Sequence, residues 1–89
     1  MVERNLVVVN HLGLHARAAA KLVQVLGAFK STIVLTGRGR EVNGKSIMGV
    51  MMLAAGQGST VHIRAEGADA AEAVEAAAQL FASGFDEGG

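Results

Sequence analysis

Leu6-Val7-Val8-Val9 is a short β-branched run closed by Asn10 and Gly13, and it predicts a first strand. The period then changes. Leu22, Val25, Leu26 and Phe29 recur at i, i+3, i+4 and i+7, the stripe of a helix that covers a sheet from one side, with Arg17, Lys21 and Gln24 off the stripe. Residues 32–36 form a second β-branched run, and Gly37-Arg38-Gly39 turns the chain into residues 40–43, so a hairpin is expected. Asn43-Gly44 turns it again before Ser46, a favoured N-cap for a short helix containing Ile47, Met48, Val50, Met51, Met52 and Leu53; Gly56 and Gly58 end that unit. In residues 60–65 polar and apolar types alternate, placing Val61 and Ile63 inward and His62 and Arg64 outward. After Gly67, Asp69 and Glu72 suggest an acidic capping box, Val74, Ala77, Ala78 and Phe81 a last helical stripe up to Gly84, and residues 86–89 a frayed tail. The order β-α-β-β-α-β-α makes this an α+β fold, with helices on one face of a largely antiparallel sheet.

Composition narrows the picture. Eighty-nine residues allow one domain, 1–89, with one small core, too short for separate cofactor and substrate domains. That core is aliphatic, because Phe29, Phe81 and Phe85 are the only aromatics. Eight basic residues balance eight acidic ones, and there is no Trp or Tyr, which leaves neither a phosphate-backbone field nor a stacking platform for nucleic acid. The absence of cysteine excludes disulfides, thiolate metal sites and thiol redox chemistry, and fits a cytoplasmic protein. Neither a signal peptide nor a run of roughly 20 apolar residues is present, so no membrane insertion is expected.

His15 breaks a local rule. It stands after a glycine turn, at the start of the alanine-rich helix, where Ser, Thr, Asp or Asn is preferred. Violations of this kind concentrate at functional sites. A phosphoryl group on that imidazole would face the unpaired N–H groups and positive dipole end of the helix, with Arg17 close by. Taken alone, His15 reads more readily as an ordinary surface histidine at a helix start, with Arg17 a solvated charge, and it is the surrounding pattern that reverses this.

Gly13-Leu14-His15-Ala16-Arg17-Ala18-Ala19-Ala20 followed by Gly44-Lys45-Ser46-Ile47-Met48-Gly49-Val50-Met51 resembles the HPr family, the histidine-containing phosphocarriers of the bacterial phosphoenolpyruvate-dependent phosphotransferase system (PTS). The similarity covers nearly the whole chain, including Glu66-Gly67-Ala68-Asp69. It implies an open-faced β-sandwich: a four-stranded antiparallel sheet with three helices on one face. It also implies that His15 accepts a phosphoryl group on Nδ1 from enzyme I and passes it to enzyme IIA-type acceptors, with Arg17 stabilising the phosphate. By the same resemblance Ser46 is a regulatory phosphorylation site for an HPr kinase/phosphorylase. One departure stands out: the family usually has proline after the arginine, and this chain has Ala18, which leaves an extra N–H and a looser first turn. That departure leaves open whether the chain serves sugar uptake or a nitrogen-linked regulatory branch (NPr-like).

The chemistry suits so small a chain. A neutral imidazole is needed to attack phosphorus, and the positive end of a helix disfavours the imidazolium. Phosphoryl transfer then asks mainly for positioning and charge neutralisation. A phosphate on Ser46 would add about −2 charge beside an apolar surface and weaken docking of an acidic partner. Ile47, Met48, Met51 and Met52 cannot all point inward from so short a helix, so Ala20, Gln24, Ile47, Met48 and Met51 are expected to border a docking patch. No cofactor is called for. His11 and His15 are separated by Gly13 and lack an obvious third ligand, so no metal is assigned, and His62 reads as a surface residue. The competing readings are an anion-binding regulatory module without covalent chemistry, and a hydrolase, which would need a second base or carboxylate that the sequence does not place near His15.

Overall fold

The computed structural model describes residues 1–87. Its elements are β1 (Val2–Val7), α1 (Ala16–Gly27), β2 (Thr32–Gly37), β3 (Arg40–Asn43), α2 (Ile47–Met52), β4 (Thr60–Glu66) and α3 (Ala70–Ala82), followed by one 3₁₀ turn at Gly84–Asp86. The four strands form a single antiparallel sheet in the order β1-β4-β2-β3. Alternation sorts the faces: Ile33 and Leu35 of β2 and Val61, Ile63 and Ala65 of β4 are buried against the helices. The other face carries Glu3, Asn5 and His62, and His62 bonds Asn5 Oδ1 through Nδ1 and Glu3 Oε1 through Nε2, each at 2.8 Å.

Four details differ from what the pattern suggested. The first strand runs over Val2–Val7 rather than residues 6–9, because its polar members find partners: Glu3 and Asn5 pair in register with Arg64 and His62, and Arg4 reaches across to Glu75 of α3 at 2.9 Å. Val8 still exchanges bonds with Ser59 and Gly58 beyond the strand end. In α1 the stripe is shifted: Ala18, Ala19, Leu22 and Leu26 are fully buried, while Val25 and Phe29 lie half-buried at its margin. The hairpin turns on Arg38 and Gly39, both left-handed at φ 52° and 78°, the two-residue turn whose twist matches paired strands, and Gly37 is already in the ladder opposite Arg40.

The fourth concerns Asp69. Its side chain does not cap α3. Its carboxylate instead accepts from the Lys30 and Ser31 backbone N–H groups (2.8 and 2.9 Å) and from the Ser31 hydroxyl (2.5 Å), fastening the start of α3 to the α1–β2 connection. The Ser31 hydroxyl, then the Lys30 N–H, hold the Asp69 carboxyl below the usual carboxylate range. Gly67, at φ 146°, lies so close to Ser31 that a Cβ there would stand 2.8 Å from its Cα. That approach demands glycine.

Candidate functional site

The loop between β1 and α1 is built to present His15. Leu14 N–H donates to the Ala55 carbonyl at 2.9 Å, tying the loop to the chain that follows α2. Gly13 takes φ 67°, and a Cβ on it would fall 2.6 Å from that carbonyl oxygen, so the tie and a side chain are incompatible. Asn10, 1% exposed, donates through Nδ2 to Gly13 O at 2.8 Å and closes the loop from beneath. His15 then enters α1 with extended backbone (φ −72°, ψ −179°), and its Nδ1 accepts from the Arg17 N–H at 3.3 Å. The imidazole nitrogen thus does the work normally given to a serine or aspartate oxygen. The histidine keeps the capping rule by an unusual atom rather than breaking it.

Asp86 and Glu87, the described part of the expected frayed tail, are instead held in place by the turn that precedes them. Gly84, Phe85 and Asp86 all take positive φ (66°, 57° and 59°), turning the chain back toward α1. A left-handed residue other than glycine costs roughly 1–2 kcal/mol, and it persists here because Phe85 is fully buried against Phe81, ring centroids 5.0 Å apart. Lys21 Nζ donates to Phe85 O at 2.7 Å, securing the turn to α1. Glu87 is thereby brought back 72 positions: its Oε2 lies 2.5 Å from His15 Nε2, and its Oε1 accepts from Asn10 Nδ2 at 3.0 Å. Asn10's amide, then the His15 hydrogen bond, keep the Glu87 carboxyl below its ordinary range. A carboxylate thus stands beside His15 in space, although none lies near it in the sequence. The expected tail's last two residues, 88 and 89, lie outside the described residues.

Leu12, His15, Arg17, Lys21, Asp86 and Glu87 line a cleft of about 520 Å³. His15 and Glu87 keep side-chain exposures of 28% and 13%, so the imidazole is reachable while its Nε2 edge is covered. The guanidinium of Arg17 has no hydrogen-bond partner among the described residues, and Ala18, where proline was expected, is fully buried in the first turn. Among the described residues no group of three or more His, Cys, Asp or Glu could hold a metal ion.

Ser46 caps α2, with extended backbone and Oγ accepting from Gly49 N–H at 3.0 Å. α2 packs against α1 while keeping Ile47, Met48, Met51 and Met52 exposed, Met48 at 75%. Ala20 and Gln24 are likewise exposed on α1. Among the described residues no helix is long and apolar enough to cross a membrane.

This arrangement matches known proteins over its full length. The family described as "PTS HPr component phosphorylation site" matches residues 2–83. The phosphocarrier protein HPr of Xylella fastidiosa (strain 9a5c) is 53% identical over 87 residues, covering 98% of each chain. The phosphocarrier protein NPr of Proteus mirabilis is 42% identical over 85 residues, covering 94% of each. The crystal structure of HPr-C-His from Thermoanaerobacter tengcongensis superposes with a TM-score of 0.93 at 44% identity, covering 98% of each chain. A helix capped by a histidine, on a four-stranded open sheet of this topology and with this sequence, belongs to the HPr family of PTS phosphocarriers.

Proposed function

We propose that His15 is the phosphoryl acceptor, taking the group from phosphorylated enzyme I and passing it to enzyme IIA-type acceptors. The observation that carries this reading is the Nδ1 contact with the Arg17 N–H: an atom that accepts a hydrogen bond has its lone pair present, and this one points at a helix start. In-line attack by that lone pair forms an N–P bond as the bond to the donor's leaving group breaks. Once the pair is used, the Arg17 N–H and its first-turn neighbours are released to phosphoryl oxygens, joined by the Arg17 guanidinium from the cleft wall. A shallow cleft with one arginine unengaged among the described residues holds the group without trapping it, as a relay requires.

Ser46 is the regulatory position in this reading, and an HPr kinase/phosphorylase its modifying enzyme. A phosphate on its Oγ would stand at the head of α2 beside Ile47 and Met48, opposing a partner that covers the methionines with an acidic face. Ala20, Gln24, Ile47, Met48 and Met51 form that docking face. The 53% identity to an HPr against 42% to an NPr favours the HPr over the NPr-like reading, and sugar uptake is the role that reading implies.

The test uses enzyme I and phosphoenolpyruvate carrying a labelled phosphoryl group. One label per chain is expected on the wild type and none on His15→Ala. Label on His15→Ala, or wild type that binds phosphate without covalent label, overturns the reading, the latter in favour of an anion-binding module.

A further inference from the structure

We propose that Glu87 is a positioning residue, held by Asn10, that fixes the proton of His15 on Nε2 and so keeps Nδ1 free for phosphorus. The inference rests on the phosphocarrier reading for its purpose, but its geometry stands independently. His15 is held at both nitrogens: Nδ1 accepts from the Arg17 N–H, and Nε2 faces the Glu87 carboxylate at 2.5 Å. A carboxylate can only accept, so Nε2 must be the nitrogen that carries the proton. The neutral ring is left with a single tautomer, the one whose nucleophilic lone pair points toward the start of α1.

Asn10 supports the carboxylate from behind. Its two amide protons go to Gly13 O and Glu87 Oε1, while its own Oδ1 is buried without a partner among the described residues. The reverse orientation of the amide is excluded, because it would press Oδ1 against two acceptors. A buried residue that leaves one of its own atoms unsatisfied while aiming both donors at the histidine loop and its carboxylate is organised around the site. The low Glu87 pKa agrees, since the Asn10 amide is its largest cause. The left-handed turn at 84–86, anchored by Phe85 and Lys21, is what delivers Glu87 to this place.

The chemical consequence is a transfer that moves no proton. Nδ1 donates its electron pair to phosphorus, the donor's bond to phosphorus breaks, and the phosphorylated ring becomes cationic with its proton still on Nε2, facing the Glu87 charge. On transfer away, the N–P pair returns to Nδ1 and the ring leaves neutral, in the tautomer in which it began. Arg17 and the helix start act on the phosphoryl side of the ring, and Glu87 acts on the opposite edge.

Glu87→Gln is the informative variant, because it keeps shape and removes the two-sided acceptor. With one oxygen and one NH₂, a glutamine that satisfies Asn10 turns its NH₂ toward His15 Nε2 and favours the tautomer protonated on Nδ1. Nitrogen-15 NMR of the His15 ring in its neutral form should show the proton on Nε2 in the wild type, population moved to Nδ1 in Glu87→Gln, and return toward Nε2 in Glu87→Asp. The rate constant for accepting phosphoryl from enzyme I should fall roughly 10–100-fold in Glu87→Gln with KM little changed, and recover in part in Glu87→Asp. An unchanged His15 tautomer in Glu87→Gln, or transfer within about twofold of wild type, overturns the proposal. If even the wild type takes no phosphoryl group, the phosphocarrier reading has failed, while the NMR comparison still decides whether Glu87 sets the tautomer.

Discussion

Ser46 caps α2, and substitution can separate that cap from the regulatory role proposed for it. Its hydroxyl accepts from Gly49 N–H at 3.0 Å and caps a helix only six residues long, whose single fully buried residue is Val50. So short a helix has little intrinsic stability, and losing its cap should cost about 1 kcal/mol. For a domain of this size that lowers Tm by roughly 4–8 °C. Ser46→Ala should therefore melt earlier by that amount in a thermal scan followed by circular dichroism, yet accept phosphoryl from enzyme I at close to the wild-type rate. Ser46→Asp should do the opposite: a carboxylate caps as well as a hydroxyl, so Tm stays within ~2 °C, while the charge beside Ile47 and Met48 raises KM for enzyme I at least about tenfold, equivalent to ~1.4 kcal/mol of docking. Unchanged melting of Ser46→Ala would refute the cap. A Ser46→Asp protein that docks like wild type would refute the charge argument for regulation.

Met48→Glu and Met51→Glu should fold as wild type, because both side chains are exposed, and should raise KM for enzyme I about tenfold each; unchanged transfer kinetics would remove α2 from the docking face. Asp69 has a depressed carboxyl pKa in the folded chain, so its contribution to stability is present above the ordinary carboxylate value and is lost as pH falls through the folded value. Asp69→Asn should accordingly melt below wild type at pH 7, and the gap should close as the scan pH is lowered from ~5 toward ~2; a gap independent of pH would contradict the assigned cause. Gly67→Ala, which forces a Cβ onto Ser31 at φ 146°, should cost about 1–3 kcal/mol in urea unfolding. Gly27→Ala, at the exposed end of α1 with open space around it, should be neutral or stabilising.

Much of this architecture was readable from periodicity, and the misreadings share a physical origin. Thr60–Glu66 alternates cleanly because one face meets the core and the other solvent, and the residues expected inward, Val61 and Ile63, are buried. β1 was legible only from residue 6 because Glu3, Arg4 and Asn5 are poor strand formers; what pairs them is β4 and Glu75, and no local pattern encodes partners so distant in the chain. Asp69 had the spacing of a capping box, but three donors from the α1–β2 connection outbid the helix for its carboxylate.

At the site, His15 and Ser46 were legible as helix-start residues, since each accepts from an N–H within the first turn of its own helix, and Arg17 came with the family motif; the approach of Gly13 to the Ala55 carbonyl, 42 positions on, left no local trace. Nor did Glu87. A glutamate among glycines at the end of a chain looks solvated, and only the burial of Phe85 and the left-handed turn around it carry that carboxylate to an imidazole 72 positions earlier. In the sequence Asn10 reads as a strand terminator; its bond to Gly13 is local, whereas its bond to Glu87 depends on the same turn. The available signal was the last aromatic, Phe85, which an aliphatic core would be expected to bury.

Whether His15 Nδ1 carries the phosphoryl group is read directly by NMR of the uniformly nitrogen-15-labelled chain after charging by enzyme I and phosphoenolpyruvate. Scalar coupling between phosphorus and His15 Nδ1, with Nε2 still protonated, is the result expected. Coupling to Nε2, or a phosphoryl group found on any other residue, would contradict the account.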